Sequence, residues 1–131
     1  MNTTESKYVE KKSYLSRHSH ELIVAQRESE ERLAAEFTEA AAKQEGFAIK
    51  VHSNDMHDWF SARTYAETVA WSKIIVGEAT DRILGAHFVG HAGQELVNLF
   101  GLAMRFGITA SQIKDNVYAY PTFSSDIKHM L

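Results

Sequence analysis

Between His91 and Gly107 the chain carries more large apolar side chains than one face of a helix can hold. Leu96, Leu99, Phe100, Ala103 and Phe106 follow the i, i+3, i+4 spacing of a core-facing stripe. Val97, Gly101, Leu102 and Met104 lie on the opposite side. A helix that is apolar nearly all round must bury two faces. A chain of 131 residues is the size of one domain, with a single modest core. One face of the helix therefore covers that core, and the other is left for a partner subunit. Gly107 is the expected stop, because glycine readily takes the left-handed conformation that ends helices.

The flanking segments supply a sheet. Phe47, Ile49 and Val51 alternate with Ala48 and Lys50, the period of two of a strand. His52 to Phe60 is polar and predicts a loop, and Ser61 to Ala70 a short helix or connecting arm. Trp71 to Gly77 (WSKIIVG) and Ile83 to Gly90 (ILGAHFVG) read as two strands. The short turn Ala79-Thr80-Asp81-Arg82 makes them an antiparallel hairpin. Upstream, Glu21 to Glu45 is rich in Ala, Glu, Gln and Arg and predicts a solvated helix, with Leu22, Ile23, Leu33 and Phe37 as its narrow apolar stripe. Residues 1 to 20 are polar and predict a frayed arm. Downstream, Thr109-Ala110-Ser111-Gln112 fits a capping box opening a short helix to about Asn116. Pro121 pushes Tyr120 into an extended conformation. Thr122 can cap a last helix, Phe123 to Met130, with Asp126 in its first turn and Lys128 and His129 near its end, as the helix dipole favours. The fold class is α+β, an antiparallel β-sheet with helices packed on one face.

Composition removes several function classes. With no cysteine, the chain can build no disulfide framework, thiolate nucleophile, CxxC redox pair or iron–sulfur cluster. A net charge of −3 with mixed signs offers no basic stripe for nucleic acid. No apolar run approaches the ~18 residues needed to span a membrane, and the polar start has no signal-peptide core, so a cytoplasmic protein is expected. The seven histidines invite a metal reading. His18 and His20 fall in the expected arm, His87 and His91 share no helix face, and His52 and His57 sit near Asp55 and Asp58 without any established ligand spacing. Surface histidines, and a sheet position for His87, are the simpler expectation, with no metal site. Gly85, Gly90 and Gly93 lack the GxGxxG spacing and its βαβ context, so they read as turn and close-packing glycines.

One ordered set of motifs goes further. Asp81-Arg82-Ile83-Leu84-Gly85-Ala86-His87 is followed by Ala92-Gly93-Gln94-Glu95, by Ala103 to Thr109, and by Tyr120-Pro121-Thr122. Phe37-Thr38-Glu39-Ala40 precedes them. This order resembles the C-terminal dimerisation domain of the pyridine nucleotide–disulfide oxidoreductases, such as dihydrolipoamide dehydrogenase, glutathione reductase and mercuric reductase. The resemblance covers residues 37–131, leaving residues 1–36 as a polar N-terminal arm and helix. It implies a twofold homodimer and no cofactor bound by this chain itself, with FAD and NAD(P) belonging to a parent enzyme. The implied interface runs through Leu96, Val97, Phe100, Leu102 and Met104 of the apolar helix and through Tyr118, Tyr120, Pro121, Thr122 and Phe123.

Two departures from the family pattern matter. In the family the turn reads "HPT" and reaches the partner subunit's flavin and disulfide site, where its histidine is the acid–base partner of the thiol, held by a glutamate. Here Tyr120 stands at the histidine position and Ser125 at the glutamate position. Phenols ordinarily titrate near ~10 and imidazoles near ~6.5, so tyrosine is a poor proton shuttle at neutral pH. The first reading is thus a homodimerisation domain that is not catalytic alone. The alternative is a portion of an active NAD(P)H-dependent FAD oxidoreductase, or of a split one, whose Tyr120-Pro121-Thr122 turn enters the partner's active site and which pairs with flavin- and nucleotide-binding domains. A third reading, a small-molecule binder, would show a pocket lined by Tyr120, Trp59 and Trp71.

Overall fold

A computed structural model describes the backbone of residues 23–27, 30–36 and 38–131, and side chains within 38–131. The expected frayed arm, residues 1–20, lies outside the described residues. The elements run β1 (Ile23–Arg27), β2 (Glu30–Glu36), α1 (Glu39–Gln44), β3 (Ile49–Asp55), α2 (Phe60–Thr64), β4 (Trp71–Gly77), β5 (Ile83–Val89), α3 (Gly93–Phe106) and α4 (Ala110–Asp115), closing with a 3-10 helix, Ser124–His129. The strands form one sheet in the order β1-β2-β5-β4-β3, every pair antiparallel. The α+β class and the β4–β5 hairpin stand as expected.

The expected helix from Glu21 to Glu45 is confined to α1. Upstream of it the chain forms β1 and β2 instead. Helix propensity distinguishes ordinary residues by only ~0.7 kcal/mol each. Against that small preference, β2 hydrogen-bonds along the edge of β5 from Arg32 opposite Val89 to Glu36 opposite Gly85, and β1 pairs with β2. Completing a sheet edge outweighs local propensity here. β3 likewise runs on to Asp55 through residues expected in a loop.

β4 and β5 are buried on both faces, which is why both read as nearly continuous apolar runs. On the larger side Ile74, Val76, Ile83, Ala86 and Phe88 meet Leu96, Val97, Phe100, Ala103 and Met104 of α3, together with Ile113 of α4 and Ile127 and Met130 of the C-terminus. Phe88 and Phe100 pack with centroids 5.6 Å apart. On the smaller side Ile75 and Leu84 meet Ala42 and Phe47 around α1. So α1 lies on the opposite face from α3, and Glu39 of α1 reaches Lys73 of β4 at 3.5 Å.

A register shift sets which of two consecutive residues serves which side. Ile75 faces Gly85, but Val76 faces Ile83, leaving Leu84 as the extra residue. Residues opposite each other in a ladder share a face, so Ile83 joins Val76 in the larger core while Leu84 joins the smaller one.

α3 ends as expected: Gly107 is left-handed at φ 68°, and the Ile108 N–H donates to the Ala103 carbonyl at 2.9 Å. Thr109 and Gln112 form the expected capping box of α4, with N···O distances of 3.2 and 2.9 Å.

Candidate functional site

The Tyr120–Pro121 peptide is cis, and the turn around it is braced from within. The Thr122 hydroxyl donates to the Ala119 carbonyl at 2.7 Å and accepts the Ser125 N–H at 3.0 Å. Ser125 returns the link: its hydroxyl donates to the Thr122 carbonyl at 2.7 Å and accepts the Thr122 N–H at 3.2 Å. The final helix, expected from Phe123 with Thr122 as its cap, is a 3-10 helix over Ser124–His129 whose cap position is Phe123, and Thr122 instead braces the turn ahead of it. Ser125 is buried and committed to this brace. Tyr120 is 75% exposed at the tip. Tyr118, half-buried, donates its hydroxyl to the Ile113 carbonyl at 2.8 Å, and burial pushes its phenol above the ordinary value.

The expected interface residues divide into two sets. Leu96, Val97, Phe100 and Met104 are not on a partner-facing surface: all are at most 4% exposed, in the chain's own core. The helical turn puts 97 and 104 on the same side as 96, 100 and 103, and α3 points that side at β5. Leu102 is 51% exposed. Phe106, expected in the core stripe, is 65% exposed. Together with half-buried Leu99 these two make an outward apolar stripe at i, i+3, i+7. In the turn, Tyr120 and Pro121 are exposed, and Tyr118, Thr122 and Phe123 are half-buried.

Composition and spacing did not anticipate the polar pair beneath the turn. His91, expected at the surface, is fully buried, and its Nε2 lies 2.7 Å from Oδ2 of the buried Asp126. The His91 ring meets Phe123 edge-on at 4.8 Å and Trp59 edge-on at 6.0 Å. Glu67 accepts the His91 backbone N–H at 2.7 Å, and its Oε2 is 3.9 Å from His91 Nδ1, which has no hydrogen-bond partner. Asp126, expected to serve the helix dipole, instead meets His91. With 35 residues between the partners, no local spacing links them.

Other expected sites do not assemble into one. Trp71 borders an open depression of about 560 Å³ with Asp55, His57, Thr68 and Val69, whereas Trp59 packs between His91 and His129 and Tyr120 is exposed in the turn. Of the three aromatic residues of the small-molecule reading, only Trp71 lines this depression. His57 bridges Asp55 and Asp58 at 2.8 and 3.2 Å. Arg63 and Tyr65 are exposed, and Tyr65 packs on Phe123 at 5.1 Å. Among the described residues no cluster of three His, Asp or Glu side chains has the arrangement to hold a metal, and no helix is long and apolar enough to cross a membrane.

Comparison with known proteins gives this geometry a context. The family model described as "Pyridine nucleotide-disulphide oxidoreductase, dimerisation domain" matches residues 37–131. A protein described as an uncharacterized 19.7 kDa protein in the mercuric resistance operon of Staphylococcus aureus is 42% identical over 94 residues, covering 72% of this chain and 52% of that protein. Dihydrolipoyl dehydrogenase of Chlorobaculum tepidum is 33% identical over 91 residues, covering 70% of this chain but 19% of the enzyme. Among solved structures, the HOCl-induced flavoprotein disulfide reductase RclA from Escherichia coli superposes with a TM-score of 0.69 at 26% identity, over 76% of this chain and 22% of that one. The chain thus spans about half of the first relative and about a fifth of the enzymes. With the antiparallel sheet, α3, the capped α4 and the Tyr120-Pro121-Thr122 turn in their expected order, this chain belongs to the pyridine nucleotide–disulfide oxidoreductase family and carries its dimerisation domain.

Proposed function

We propose that this chain is a homodimerisation module that is not catalytic on its own. The observation that carries the reading is the outward side of α3, where Leu102 and Phe106 remain 51% and 65% exposed in a domain of a dimerisation family. Exposed large apolar side chains on a rigid helix mark interaction surfaces, and aromatic residues contribute most to such contacts. Val117 and Tyr120, 91% and 75% exposed, extend the apolar surface available for pairing. The expected result in sedimentation or light scattering is a concentration-dependent dimer. A chain that stays monomeric at millimolar concentration overturns the proposal.

A second reading has a specific observation in its favour. The relatives include dihydrolipoyl dehydrogenases, and here the family's turn projects Tyr120 outward. In that reading the chain is part of a longer or split cytoplasmic oxidoreductase, and the turn enters the partner's active site. FAD and NAD(P) would supply hydride and electron transfer there. The described residues do not fit those cofactors. Every strand pair among them is antiparallel, so the parallel strand–helix–strand unit that cradles a dinucleotide is not formed there. Any cofactor would be held by other domains, and this chain would contribute Tyr120 and the pairing surface. Flavin absorbance co-eluting with the native protein, together with an intact mass above that of these 131 residues, supports this reading. A colourless protein of 14.8 kDa opposes it.

A further inference from the structure

The Tyr120 turn ends in a carboxylate that the fold has drawn inside. Asp126 is 8% exposed and His91 is 0% exposed, although removing ionisable groups from water is costly. Ile127 and Met130 already fill the core beside them, so packing alone does not call for an acid and an imidazole at this point. We propose that the His91–Asp126 bond is a latch that fixes the Tyr120–Pro121 turn to the start of α3. This rests on the reading of the chain as a pairing module, because the latch holds two parts of the pairing surface in one relative position.

Both ends of the bond are built to transmit position. On one side, Ala119 to Asp126 is a braced unit. The Thr122–Ser125 exchange closes it, and the Asp126 N–H donates to the Phe123 carbonyl at 3.1 Å. Holding Asp126 therefore holds Tyr120. On the other side, His91 and Ala92 are both left-handed, at φ 56° and 53°, a conformation that costs non-glycine residues energy. Glu67 retains it by accepting the His91 N–H at 2.7 Å, and α3 begins at the next residue but one. The strained turn aims the ring, and Trp59 and Phe123 close over it edge-on.

The grip passes through one ring nitrogen. Nδ1 is buried without a hydrogen-bond partner, and the nearest carboxylate oxygen on Glu67 is 3.9 Å away. With Oδ2 of Asp126 as the acceptor of the 2.7 Å contact, the ring proton belongs on Nε2. His91 is here a positioning residue, and the latch makes two demands: a donor at Nε2 and an acceptor at residue 126.

The test uses hydrogen exchange on the full chain and on its Leu102→Glu variant, which separates the latch from pairing. Asp126→Ala should raise exchange of the Thr122 and Ser125 amides about tenfold or more, as expected for loss of one buried charge-assisted bond, while β4 amides stay protected. In the full chain it should also weaken self-association by about tenfold. Asp126→Asn and His91→Gln, which retain an acceptor and a donor, should restore most of both. Nitrogen-15 spectra should show the His91 proton on Nε2, a readout available even where the alanine variant fails to fold. Unchanged turn exchange in Asp126→Ala, or a ring carrying its proton on Nδ1 alone, overturns the latch. If the parent chain never pairs, the functional reading fails, and the exchange data still decide the latch.

Discussion

His57 sits between two carboxylates, with Nδ1 at 2.8 Å from Asp55 and Nε2 at 3.2 Å from Asp58. The hydrogen bond to Asp55, followed by the charges of Asp55 and Asp58, holds the imidazole above its ordinary value against slight burial. The same hydrogen bond, with the His57 backbone N–H, holds Asp55 below the carboxylate range. A raised imidazole contributes stability fully below its ordinary titration and loses it as pH rises through the raised value. A lowered carboxyl contributes above its ordinary titration and loses it as pH falls through the lowered value. The pair is therefore fully effective between the ordinary carboxylate and imidazole ranges. NMR titration should find the His57 midpoint above that of a free imidazole, and Asp55→Asn should bring it down; no change in that variant means the pair does not form in solution. His52 behaves oppositely: burial first, then Lys114 and Lys50, lower it, so acidification works against the fold there.

At the scale of elements, the caps and the closely packed turns carry stability that denaturation can measure. Thr109→Ala removes one half of the α4 capping box and should cost about 1 kcal/mol. Gly90→Ala should cost several times that. A β-carbon there would overlap the Val69 carbonyl oxygen, in a residue already at φ +66°. Measured losses under ~0.5 kcal/mol at Gly90 would mean that the turn relaxes freely. These are also the places where sequence and structure agree most closely. Gly107 and Thr109 act locally, through their own backbone and near neighbours, so they can be read one residue at a time. The stretch from Ile23 to Glu36 could not, because its strand pairing depends on the distant edge of β5. For the same reason Asp126 looked like a helix-dipole residue until the fold brought His91 to it. Leu102 and Met104 were grouped together because both are apolar, yet two residues turn a helix by about half a revolution and separate core from surface.

For the whole molecule, that separation yields a paired prediction. Leu102→Glu should leave the fold intact and shift the chain toward monomer, whereas Met104→Glu should unfold it, because a carboxylate would be forced into the core beside Phe100. Light scattering and circular dichroism distinguish the two; a folded, monomeric Met104→Glu variant would contradict the assigned orientation of α3. Phe100→Ala should cost about 3–5 kcal/mol by opening a cavity against Phe88. The extra residue at Leu84 has a related consequence for variation in this chain. Removing one residue between Val76 and Ile83 would restore plain alternation along β5, so that Ile83 and Leu84 would exchange layers and the packing against α1 and α3 would have to be remade. Length in that short stretch is therefore as constrained as residue identity, and sequence drift there should proceed by substitution alone.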